Sequence, residues 1–244
     1  MNSNYREWTG VMRAGQVVIL AASLAWVAGC STAGYKKSDA AALSMQTASA
    51  EVEAESGAAE IAVNSLKTLV NEPGADLRPP FRHFSTAVDR LATAADRTRI
   101  TGERMAKRSA AYFESWDKHL QQIEFVHVRD VSATRMTEVT NQFAVLHQRY
   151  RESQEAVQPL ITYLRDIRTA LSTDLTSAGL VSVKDLAENA ATNANKVRST
   201  LAALTTELGS SSARLSSMPF QSVGGGSQPE QESTTAADAS PDTQ

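Results

Sequence analysis

Cys30 is the one cysteine in this chain of 244 residues. No disulfide framework can form within the chain, and no second thiol is left to bind a metal or act as a nucleophile. Aromatic residues are also scarce, at 6% against a hydrophobic content of 42%. Apolar character therefore rests on Ala, Leu and Val, which suits helices packed side by side better than a sheet core. Charge of one sign is not in excess where it would matter. The first 29 residues carry Arg6, Glu7 and Arg13, and the segment after Met218 carries only acids (Glu230, Glu232, Asp238 and Asp242), so the stretch between is balanced. A balanced body lacks the electrostatic footprint of a nucleic-acid binder. Catalytic signatures are missing as well: there is no His-Glu-x-x-His, no cysteine pair and no Gly-x-Ser-x-Gly. His83, His119, His127 and His147 are scattered, with no carboxylate at metal-site spacing. Glu51, Glu53 and Glu55 alternate, so a helix spreads them around its surface as a solvated face rather than an acid–base pair. Neither an enzyme activity nor a metal, cofactor or small-molecule substrate is expected.

The most informative stretch present is Val17 to Cys30, VVILAASLAWVAGC. Arg6 and Arg13 precede a short apolar run that closes on Val27-Ala28-Gly29-Cys30. The run is short for a membrane span, which needs ~20 apolar residues, and it fits the apolar region of an export signal. Residues 1–29 are expected to be a lipoprotein signal peptide, with Cys30 the lipidation site. An uncleaved N-terminal anchor is the alternative. Both place the remaining chain outside the cytoplasm and tied to a membrane. Ser31 follows in place of the aspartate that commonly retains lipoproteins at an inner membrane, which favours the outer membrane, facing the periplasm. Residues 30–37 would then be a short tether.

Residues 38–218 read as an all-α body. Ser38 or Asp39 can cap a first helix, which Asn71-Glu72-Pro73-Gly74 ends. Its seam is thin: Leu43, Thr47, Ala50, Ala54, Ala58, Ile61, Ser65 and Leu69. A second helix steps by three and four from Phe81 through Phe84, Val88, Leu91, Ala95, Thr98, Gly102, Met105, Ser109, Phe113 and Trp116 to Ile123, which is coiled-coil spacing. Its basic residues are expected to lie against the acidic first helix, unless they are solvated independently. A tight hairpin near His127 to Val131 is expected rather than a continuous rod, since a rod of that length needs a partner. The next seam runs from Met136 through Val139, Phe143, Leu146, Tyr150, Ser153, Val157, Leu160, Leu164 and Ile167 to Leu175, with Pro159 inside it. After a break at Asp174 to Gly179, Ser182 or Asp185 restarts a last helix with Leu186, Ala190, Asn193, Val197, Leu201, Leu204, Leu208, Leu215 and Met218 in its seam. Residues 219–244 are polar and cannot bury enough apolar surface to order themselves. The expected fold is an elongated antiparallel, coiled-coil-like bundle of three to four long helices.

Gly34-Tyr35-Lys36-Lys37-Ser38-Asp39, Phe113-Glu114-Ser115-Trp116 with Leu120 and Ile123, and Gln158-Pro159-Leu160 followed by Leu164-Arg165-Asp166 and the stretch Leu171 to Val183 resemble the bacterial lipoprotein family carrying the domain of unknown function numbered 2959. The resemblance covers about Gly34 to Met218. It departs at Ser172-Thr173-Asp174-Leu175-Thr176, where the family tends to carry a Lys-His-Asn-Leu-Asn type run. It implies an envelope location and a helical fold, and supplies no activity.

Two function classes follow. One is a non-enzymatic, membrane-anchored scaffold that binds an envelope protein or itself. The other is a module for peptidoglycan or anionic lipid, touching polymer through Arg97, Arg99, Arg104, Lys107 and Arg108. The second requires those side chains to be exposed rather than turned toward the acidic helix.

Overall fold

A computed structural model describes residues 33–217. Four long helices and one short one follow in order: α1 (Ala33–Asn71), α2 (Arg78–Leu120), α3 (Val126–Thr173), α4 (Ser177–Ser182) and α5 (Lys184–Leu215). No strand occurs among the described residues. The expected all-α antiparallel bundle is the observed one. The expected signal peptide, Cys30 and residues 219–244 lie outside the described residues.

The helices are joined head to tail by short turns, so neighbours run antiparallel. α1 packs on α2 and α5, and α3 closes the ring by packing on the same two. Cross-helix bonds mark the register. Thr98 Oγ donates to the Glu51 carbonyl (3.2 Å) between α1 and α2, and Ser49 and Ser212 bond across α1 and α5 to Thr205 O and Ala42 O. Ion pairs Arg168–Asp89, Arg149–Glu207 and Arg198–Glu60 lace the outside. At 1.5 Å per residue the 43 residues of α2 and 48 of α3 reach about 65 and 70 Å.

Ridges of branched and small side chains fill the core. On α2 the expected seam is buried from Phe84 to Ser109, and on α3 it is buried from Leu146 to Leu171. α5 buries Ala187 and Ala194 instead of Leu186 and Asn193. α1 departs most. Leu43 and Ile61 are 57% and 50% exposed, while Ala41, Met45, Ala48, Val52, Ala59, Ala62, Leu66 and Leu69 are buried. Alanines occur on every side of this helix, so a thin apolar stripe does not define its rotation. Its two neighbours demand a wide buried face, and the larger Met45, Val52 and Leu66 decide where that face points.

Three boundaries differ from expectation. α1 starts at Ala33, so Ser38 lies inside it and donates to the Tyr35 carbonyl. Asp39 instead accepts from the backbone N–H and hydroxyl of Ser217, at 2.8 Å each, tying the first turns of α1 to the residues just past α5. The α2–α3 hairpin forms, but at Gln121–Phe125 rather than His127–Val131. Val126, Val128 and Val131 belong to the first turns of α3, because β-branching lowers helix propensity only slightly. α5 starts after Val183, not at Ser182, and Asp185 sits in its first turn, where the helix dipole favours an acid.

Candidate functional site

The five basic residues singled out on α2 are all exposed. Their expected docking against the acids of α1 is not found. Arg99 pairs on its own helix with Glu103 (2.9 Å) and Asp96 (3.8 Å). Of the α1 acids, Glu60 pairs with Arg198 of α5. The physical reason is ordering of strengths: exposed pairs contribute ~0.2–1 kcal/mol, too little to rotate α2 away from the burial of Phe84, Leu91 and Met105. At about 100° per residue, Arg97, Arg104 and Arg108 align within about 40°, with Arg82 and Arg90 continuing the row. Lys107 flanks this stripe. Arg99 stands on the other side of the helix and is not brought together with them.

A polar layer that sequence reasoning missed crosses the middle of the bundle. Glu55 is fully buried, not part of a solvated face. Its Oε2 accepts from Gln154 Nε2 at 3.0 Å, and its Oε1 has no partner. Burial holds the Glu55 carboxyl above its ordinary range, while the bond from Gln154 pulls it partly back. Tyr150 donates its hydroxyl to the Thr98 carbonyl. Burial, with the nearby Glu55 and Glu51 carboxylates, pushes the phenol of Tyr150 up. Gly102 makes room for that ring: a Cβ there would lie 2.2 Å from Tyr150 Cε1. The signal was present in the spacing, since Glu55 falls with Val52, Ala59 and Ala62 on one helical face. The layer holds one carboxyl, no basic partner and no nucleophile, so its chemistry is that of a packed polar seam.

At the pole where α1 begins, Tyr112 packs on Phe113 and Trp116 of its own helix, α2, with ring centroids 5.4 and 5.5 Å apart, and Phe113 meets Phe143 of α3 edge-on at 5.7 Å. Trp116 donates its indole N–H to Ser132 Oγ at 3.0 Å, tying α2 to α3 just below the hairpin. An open cleft of about 230 Å³ separates this cluster from Gly34, Tyr35 and Ser38 of α1. His147 stacks on Phe143, and burial together with Arg151 lowers its pKa. His119 borders the cleft. Among the described residues no three of His, Cys, Asp and Glu are grouped as a metal site. No described helix is long and apolar enough to cross a membrane.

At the opposite pole the Ser172–Thr176 run makes a turn. Thr176 Oγ donates to Asp174 Oδ1 and accepts from Gly179 N, capping α4. Gly179 is required there, since a Cβ would lie 2.1 Å from the Asp174 carbonyl oxygen.

A family model described as "Protein of unknown function (DUF2959)" matches residues 27–218. No curated protein and no solved structure matches the chain.

Proposed function

Because the chain belongs to the DUF2959 family of proteins of unknown function, we propose a role set by its shape and address: a lipid-anchored, non-enzymatic helical scaffold of the cell envelope. Cys30 would carry the anchor, on an outer membrane with the bundle facing the periplasm. The observation that carries the scaffold reading is the outward stripe of α1. Leu43, Thr47, Ala50, Ala54 and Ile61 are exposed along one line of the helix, over roughly 27 Å at 1.5 Å per residue. Small residues in such a line let a partner helix approach closely, the helix-in-groove mode of recognition. The partner would be another envelope protein or a second copy.

Photocrosslinking from Ala50 in intact cells tests this. A discrete protein adduct is expected, and its absence would sink the scaffold reading. Cys30→Ala is expected to move the protein from the membrane to the soluble fraction on sedimentation. The exposed basic stripe favours a second reading, a module for peptidoglycan or anionic lipid that uses Arg97, Arg104, Lys107 and Arg108.

A further inference from the structure

We propose that the α2–α3 hairpin is a membrane-docking tip, which inserts into a phospholipid bilayer and sets the bundle upright on it. The inference rests on the reading of Cys30 as a lipid anchor. Phe125, Val126, Val128 and Val131 are 78%, 59%, 56% and 60% exposed. Phe125 ends the tight turn and the three valines follow within the first two turns of α3, and exposed apolar residues concentrated in this way mark an interaction site. At the far pole, Val181 is the large apolar residue left comparably open.

Position identifies the occupant. The cleft between Tyr35 and Trp116 sets the first turn of α1 level with the last turns of α2. The Trp116–Ser132 bond sets α3 at the same level. Phe125 lies seven residues beyond Ser132, about 10 Å above the level of Tyr35, and α1 begins two residues above Tyr35, so the tip overhangs the start of α1 by about 7 Å. Ser31 and Thr32 alone separate Cys30 from Ala33, a reach of at most about 10–11 Å. An acyl group on Cys30 would therefore hold this pole at the bilayer surface, with the tip projecting into it. Apolar faces of interfacial segments sit ~5–10 Å deep, which matches the overhang. A tether at one point limits distance and leaves angle free, whereas a second contact on another element restricts the angle.

The tip carries both signs of charge (Lys118, His127 and Arg129 beside Asp117, Glu124 and Asp130), so insertion draws on the apolar side chains rather than on attraction to anionic lipid. The described residues end at the same pole, where Ser217 meets Asp39, and the C-terminal segment follows from there in sequence. Its large apolar residues after Met218 are Phe220 and Val223, amid Ser, Gly, Gln and acids, a poor match for four exposed apolar groups.

The test places a benzophenone amino acid at Phe125 of the full chain in intact cells, with the same probe at Asp76 on the far pole. Adducts are identified by mass spectrometry. The expected result is a phospholipid adduct from Phe125 and none from Asp76. Replacing Val126, Val128 and Val131 by Ser is expected to lower the lipid-adduct yield several-fold while membrane sedimentation persists. An adduct to the chain's own C-terminal segment, to a second copy or to another protein, or no adduct at all, overturns the proposal. The anchor reading is judged separately: a Cys30→Ala chain that sediments like the parent sinks it. In that case a Phe125 lipid adduct still upholds the tip, and its absence still overturns it.

Discussion

Glu55 is the residue whose environment departs furthest from what its type prefers. A carboxyl taken out of water with one oxygen unpartnered opposes folding when charged. Its pKa is raised in the folded state by burial, so the native chain holds its proton more tightly than the unfolded chain. The stability linked to this proton is present below the ordinary glutamate range near 4.5. It is lost as pH rises through the higher folded value. Glu55→Gln keeps the shape and removes the charge. The variant is expected to melt at a higher temperature than the parent at neutral and alkaline pH, with the gap closing as pH falls toward the ordinary range. Thermal melts across that pH series check it, and a gap independent of pH would show that Glu55 does not titrate in this window. The burial of Glu55 was partly legible, because it shares a face with Val52 and Ala59. Alternation with Glu51 and Glu53 obscured it, since three acids in a row of odd positions resemble a solvated surface.

Between elements, the polar layer acts as a register mark. Gln154 on α3 reaches Glu55 on α1. Tyr150 on α3 crosses α2 at Gly102. A slip of α3 by one turn would bring Tyr150 against Thr98 or Ala106, where a Cβ occupies the space. Gly102→Ala is therefore expected to destabilise the bundle by about 1–3 kcal/mol, the range for overpacking a filled core. That outweighs the gain of up to ~1 kcal/mol that alanine offers over glycine in a helix. Chemical denaturation measures it, and a variant more stable than the parent would show that the ring moves aside freely. In sequence, Gly102 reads as a weak point of the seam. Only the position of Tyr150, 48 residues later, makes it the place where two helices cross closely. The hairpin was legible as a reversal but not by position, because Gln121 to Phe125 carries no Gly or Pro to mark it.

Over the whole molecule, a rod about 70 Å long presents different chemistry along its length: an apolar tip at one pole, an apolar stripe on α1 and a basic stripe on α2. If the basic stripe engages cell-wall polymer, Arg97, Arg104 and Arg108 changed together to Ser should reduce retention on isolated peptidoglycan sacculi several-fold. The salt sensitivity of retention should fall with it, since exposed charges are screened over roughly 10 Å at moderate ionic strength. Arg99→Ser should change little, because Arg99 lies off the stripe and pairs with Glu103. Equal retention of the triple variant and the parent would remove the polymer-binding reading.

Residue periodicity alone was enough for the helical class, a bundle of three to four long helices, the inward seams of α2 and α3 and most of that of α5. Those seams pair branched or aromatic residues with polar ones at a clear period, so one rotation buries far more apolar area than any other. Tertiary structure alone decided the rotation of α1, whose alanines make several rotations nearly equal until two neighbours are packed against it. It also decided which charges pair, because exposed ion pairs are too weak to direct packing and follow wherever the seams place them. The burial of Glu55 and the room at Gly102 have the same origin: each depends on a residue brought close by the fold from a distant part of the chain.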